Sequence, residues 1–207
     1  MRPDRGAAGA EEEGGGMKRE IILAGVGGQG LLSLAAVITR AAQNEGLCVK
    51  QAEVHGMAQR GGTVESHIRL SNREVYSPLI REGTADLILA LEPMEGLRQI
   101  RFLSPEGGFV AGSAPFVNIP NYPPIERILE EIEKIENHRL IDAPAIARKI
   151  GSPRAANMVL LGAAFPFLKL SEEALIGGIE SVFAGRLSEE MISSNIAAFR
   201  RGLAEAG

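Results

Sequence analysis

Residues 20–26, "EIILAGV", run straight into "GGQG" and then into "LLSLAAVI". A continuous apolar run that ends in glycine fits a strand buried on both faces of a parallel sheet. The residues after it put Leu31, Leu34, Ala35, Ile38 and Ala42 on one helical face, and Gly46 stops that helix. Strand, glycine turn and helix in immediate succession restrict the chain to α/β folds. The same order sets up a binding chemistry. Gly25, Gly27 and Gly30 satisfy G-x-G-x-x-G, with Gly28 added. Glycine lets the backbone take positive φ and come close to a ligand. The N–H groups that open the helix then face an anion.

Farther along, 47–54 reads as a second strand, and "HGMAQRGG", 55–62, fits neither helix nor strand. From Thr63, Val64, Ile68 and Leu70 alternate with Glu65, His67 and Arg69, which predicts a strand with one solvated face and His67 on it. "SNRE" is a turn, and "VYSPLI" is expected to pair back as a hairpin. A buried strand follows over 85–91. Pro93 opens a helix, and "SPEGG" turns the chain into the strand "FVAGS". Two prolines precede an acidic amphipathic helix whose charges form a solvated face. "RLIDA" supplies the last strand, and a short helix ends at Gly151. The remainder is helical. Ser152-Pro153 makes a cap and first turn for one helix, which Pro166 kinks or ends, and Ser171 and Ser188, each before two glutamates that suit the helix dipole, open two more. The expected fold is a three-layer α/β domain. Its mostly parallel, Rossmann-like sheet is flanked by helices, with an antiparallel hairpin and C-terminal helices. Residues 1–17 are expected to be a flexible tail, with Met17 an alternative start, and 18–207 to form one domain.

With 207 residues, a formal charge of -4 and no basic block, the chain lacks the footprint of a general nucleic-acid binder. No apolar run approaches the roughly 20 residues of a membrane span, and no signal peptide is visible, so a cytoplasmic location is expected. Cys48 is the only cysteine. It allows no internal disulfide and cannot by itself hold an iron–sulfur cluster. Its expected place is as a small filler on a buried strand. His55, His67 and His138 show no zinc-ligand spacing, and no metal site is expected. Glu53 sits where a dinucleotide site would place its ribose-binding acid. A Rossmann chain would continue into a crossover helix, however, and this one continues into "HGMAQRGG". NAD binding and plain helix–strand packing both remain open for the glycine turn.

"EVHGMAQRGGTVESHIRL", taken with "GVGGQG", "SPLI" and "ADLILALEP", resembles the gamma-type domain of 2-oxoacid:ferredoxin oxidoreductases. The wording "HGMAQRGG" is most similar to the branch of small (beta) subunits that serve indolepyruvate. The resemblance runs from about Lys18 to "NIAAFRRG" near the C-terminus. It implies an accessory subunit, inactive alone, of an enzyme that decarboxylates an arylpyruvate on thiamine diphosphate. Such an enzyme passes electrons through iron–sulfur clusters to ferredoxin and hands the acyl group to coenzyme A. It further implies that a large (alpha) partner holds the thiamine and the clusters, while this chain helps form the coenzyme A pocket. The positions carried over are Gly25, Gly27, Gly28, Gln29 and Gly30 in the first loop and Arg60, Gly61 and Gly62 in the second. Arg60 suits a phosphate or carboxylate. Gln29, which can donate and accept, suits a pantetheine amide or a partner's backbone. His55 is a candidate proton donor beside the active site, or a structural histidine. Two other readings stay open: a stand-alone NAD(P)-binding dehydrogenase or regulatory nucleotide-binding module, and an assembly scaffold whose loops bind no ligand.

Overall fold

The computed structural model describes residues 16–55, 61–117 and 119–205. In chain order the elements are β1 (Lys18–Val26), α1 (Leu31–Asn44), β2 (Cys48–His55), β3 (Thr63–Ser71), β4 (Ala85–Ala90), α2 (Pro93–Arg98), β5 (Leu103–Gly112) and α3 (Ile125–Glu133). They continue with β6 (His138–Ile141), α4 (Ala143–Lys149), α5 (Ala156–Leu168), α6 (Glu172–Phe183) and α7 (Glu189–Ala204). The strands form one six-stranded sheet in the order β2-β3-β1-β4-β5-β6. Neighbours β1, β4, β5 and β6 run parallel, while β3 is antiparallel to both β1 and β2. This is the expected α/β architecture.

Alternation along β1 divides the core in two. Ile21 and Leu23 point with Leu87, Leu89 and Val110 toward α1, α5, α6 and α7. Ile22 and Ala24 point with Ile88, Ala90 and Phe109 toward α2 and α3. A period of two on a sheet covered on both sides gives this three-layer result. The expected face of α1 is the buried one: Leu31, Leu34, Ala35, Ile38 and Ala42 all lie in the first of these layers.

Four local expectations for the sheet need correction. The hairpin partner of β3 is β2, and residues 75–80 form no strand. Pro78 has no N–H to give a ladder, and the segment instead crosses β3, with Arg69 donating to the Ser77 carbonyl at 2.8 Å. That crossing roofs the face expected to be wet. His67 is therefore buried, its Nδ1 accepting the Ile80 N–H at 3.1 Å and its ring edge-on to Phe102. Burial, the largest influence, lowers its pKa, against Glu65, which raises it, and with Arg101, which lowers it. Cys48 is exposed, because β2 is an edge strand. "SPEGG" lies inside β5, where the ladder to β4 shifts register between Ala85 and Leu87.

Ser171 and Ser188 open α6 and α7 as expected, and each also caps its helix, accepting from the N–H groups of Ala174 and Met191. Ser152, expected as a cap, instead makes no side-chain cap bond and leads through a 3₁₀ turn over Pro153–Ala155 into α5. Ser171→Ala should lower stability by about 1 kcal/mol, read from the shift of a urea unfolding midpoint. Pro166 falls in the last turn of α5, which closes at Lys169 with φ of 55°. No helix among the described residues is long and apolar enough to cross a membrane.

Candidate functional site

The connection after β1 leads to α1 on one face of the sheet, and the connection after β4 leads to α2 on the other. Neighbouring parallel strands whose connections diverge in this way open a crevice at their carboxyl ends, where α/β sheets bind ligands. The glycine turn occupies that crevice. Gly28 and Gly30 adopt φ of 101° and 86°, values that L side chains rarely take. No side chain caps α1, and no acidic residue lies in its first turn, so its opening N–H groups suit an anion.

Gln29 faces inward. Its Oε1 accepts the Val26 N–H at 2.7 Å and its Nε2 donates to the Leu91 carbonyl at 3.4 Å, lacing β1 to the end of β4 across the crevice. Gly25 makes room for this, since a Cβ there would lie 3.0 Å from Gln29 Oε1. The Gln29 acceptor is therefore committed to the fold, leaving one amide N–H for other work.

The two glycine loops touch. Gly27 donates to the Gly62 carbonyl at 2.9 Å, and Gly61 beside it has φ of 80°. Arg60 lies outside the described residues. His55 is the last residue of β2, opposite Val64.

A cleft of about 780 Å³ lies over the turn, lined by Gly28, Gly30, Ser33, Arg154, Asn157 and Asn195 among others. A smaller hollow of about 280 Å³, reaching to Gly112 and Phe116, shares Gln29, Pro153, Arg154 and Asn157 with it. Asn157 donates to the Gly30 carbonyl at 3.4 Å, pinning the turn to α5. Arg154, Asn157 and the first turns of α7 carry no local motif, so their part in this cleft was not readable from sequence. A Ser-Pro helix start with a cation beside it was the one available hint.

The geometry disfavours a dinucleotide site of the ordinary kind. Such a site places its acid on the strand next to β1. Here β3 intervenes, which moves β2 and Glu53 a further 5 Å or so away. Gln51 donates to the Glu53 carboxylate at 2.6 Å. Of the remaining histidines, His138 is half-buried, with Nδ1 2.7 Å from the Ile135 carbonyl. Among the described residues no group of three or more His, Cys, Asp or Glu side chains could hold a metal.

Over 197 residues the chain is 35% identical to indolepyruvate oxidoreductase subunit IorB of Archaeoglobus fulgidus, covering 92% of this chain and 96% of that protein. Its identity to the same subunit of Methanothermobacter thermautotrophicus is 37% over 199 residues, covering 92% and 98%. Among solved structures it is similar to 2-oxoglutarate:ferredoxin oxidoreductase from Magnetococcus marinus, determined with 2-oxoglutarate, coenzyme A and succinyl-CoA bound. The TM-score is 0.71 at 26% identity, and the match covers 91% of this chain and 31% of that one. Residues 20–205 also match the pattern of the pyruvate ferredoxin/flavodoxin oxidoreductase family, and with relatives matched over more than nine-tenths of both chains, the chain belongs to that family as an oxidoreductase subunit.

Proposed function

We propose that this chain is the small subunit of a thiamine-diphosphate-dependent indolepyruvate:ferredoxin oxidoreductase. On this reading it is inactive alone, and its glycine cleft takes the phosphate end of coenzyme A. The observation that carries the reading is the near full-length likeness to indolepyruvate oxidoreductase subunits. The chain's own chemistry agrees. An iron–sulfur cluster needs four ligands, usually thiolates, and the sequence has one cysteine. The clusters do not fit this chain, and on this reading they belong, with the thiamine diphosphate, to a large alpha partner. Ferredoxin meets that partner, and a reducing cytoplasm suits the whole.

The residues present do fit a coenzyme A. Its phosphates match the uncapped start of α1 and the Arg154 guanidinium, with Arg60 a further cation. Asn157 and the free Gln29 N–H can meet amide groups along the pantetheine arm. These contacts hold and orient the thiol end toward the partner; no bond is made or broken on this chain. Gly27 and Gly62 join the loops, so a ligand held by one is felt at the other.

Titration calorimetry of the isolated chain tests the ligand assignment. Measurable heat with coenzyme A and none with NADH is expected. Binding of NADH without binding of coenzyme A would instead favour a nucleotide-binding dehydrogenase or regulatory module. Silence toward both would favour a scaffold.

A further inference from the structure

Another set of polar side chains lies under the same rim, on the α2 side of the sheet, and the glycine cleft makes no use of it. Glu92 and Glu95 stand one turn apart at the start of α2, 0% and 1% exposed. One oxygen of Glu92 accepts the Glu95 backbone N–H at 2.8 Å. The other takes the Tyr122 hydroxyl, with the Phe116 N–H 3.5 Å away. The Thr63 side chain lies beside the Glu95 carboxyl and lowers its pKa, and at the end of α2 Gln99 Nε2 donates to the Glu65 carboxylate of β3 at 2.7 Å. Glu95 Oε1 is 3.5 Å from Arg98 Nε, while Glu95 Oε2 has no hydrogen-bond partner among the described residues.

Carboxyl groups this deep are costly to keep, and what they hold is informative. Thr63 follows Gly62, the residue that accepts from Gly27 in the first loop. Phe116 lines the smaller hollow. The short helix α2, with its two caps Glu92 and Gln99, therefore grips both β3 and the segment leaving β5.

We propose that Glu92 and Glu95 are positioning residues for this cleft: Glu92, through Tyr122 and the Phe116 N–H, fixes the segment leaving β5, and buried Glu95, between Thr63 and Arg98, seats α2 against the start of β3, both relative to the glycine turn. The geometric part stands alone; its effect on coenzyme A rests on the function proposed above. Protonation completes the picture. Burial is the main influence raising the pKa of Glu95. The Thr63 hydroxyl and Arg98 oppose it, and the Glu92 and Glu65 carboxylates add to it. The Tyr122 hydroxyl, which faces the pair from the connection before α3, stays protonated, its pKa raised by burial and by the bond to Glu92. Glu95 thus keeps its proton to higher pH than an ordinary glutamate. Because the folded pKa lies above the unfolded one, its contribution is complete below the ordinary glutamate pKa and fades as pH climbs through the raised value. Glutamine imitates the protonated acid, so Glu95→Gln should keep its place beside Thr63 and remove that fading.

Hydrogen exchange of the full-length chain and steady-state kinetics of the co-purified complex test this together. In Glu95→Leu, amides of 62–66 should exchange at least tenfold faster while those of α5 do not change. The coenzyme A KM should rise at least fivefold with kcat within twofold. Glu95→Gln should match the wild type in both readouts and lose less thermal stability as pH rises above the ordinary glutamate pKa. Should Glu95→Leu not fold, Tyr122→Phe decides, with faster exchange over 113–117 expected. Wild-type exchange at both segments in folded variants overturns the proposal. Faster exchange with an unchanged KM upholds the positioning and counts against the coenzyme A reading.

Discussion

Replacing Gly30 with valine is expected to raise the coenzyme A KM of the reconstituted two-subunit enzyme at least tenfold while the chain stays folded. At φ of 86° a β-branched residue is strained by about 1–3 kcal/mol. Its Cβ would also fall 2.7 Å from Asn157 Nδ2. Relief requires the turn to open. That turns the first N–H groups of α1 away from the cleft and breaks the Asn157 bond to the Gly30 carbonyl. Losing about 1.4 kcal/mol of binding is a factor of ten, and losing one phosphate contact is enough for it. Gly46→Val is the control. Its φ is 75°, nothing lies within 4 Å of its Cβ position, and it sits at the far end of the 14-residue α1. It should lose comparable stability and leave the KM within twofold. Equal KM values for the two variants would remove the glycine turn from the ligand site.

The largest loss of stability is expected from Gly202→Ala. Here α5 and α7 cross with their backbones in contact. A Cβ on Gly202 would lie 1.9 Å from the Val159 carbonyl oxygen, and one on Gly162 would lie 2.0 Å from that of Phe199. Both distances are far inside the roughly 3.5 Å of ordinary contact. The obstacle is backbone, which cannot rotate aside, so the helices must part and Phe199 must leave its place in the core. About 3 kcal/mol is expected, the upper end for overpacking, or roughly 10 °C in Tm for a chain of this size. Thermal unfolding followed by circular dichroism measures it. Since single domains keep only about 5–15 kcal/mol in total, Gly162→Ala combined with Gly202→Ala should leave little folded chain.

Local signals in the sequence carried much of this structure. The β1–turn–α1 unit, the buried face of α1 and the starts of α6 and α7 after Ser171 and Ser188 all follow from periodicity and side-chain chemistry within a few residues. What crosses long stretches of chain was not legible. Nothing near Thr63 says that β3 will insert between β2 and β1, yet that insertion carries Glu53 away from the glycine turn. The alternation in β3 correctly marked one apolar face. It could not say that 75–80 would cover the other and bury His67. The edge position of β2, and with it the exposure of Cys48, depends on the same strand order. In the cleft, the glycines announced themselves through spacing. The bond from Gly27 to Gly62, the inward turn of Gln29 and the arrival of Arg154 and Asn157 are tertiary facts. Glu92 was hidden differently: Pro93 marked the helix start, while a glutamate is an uncommon cap.

The proposed function is a division of labour, with binding surface on this chain and reactive groups on another. It is tested most directly by assaying arylpyruvate-dependent reduction of ferredoxin or a viologen dye with each purified chain alone and with the two together. Activity is expected from the pair and from neither alone. Turnover by this chain unaided, or full coenzyme A-dependent activity from the large chain without it, would contradict the account.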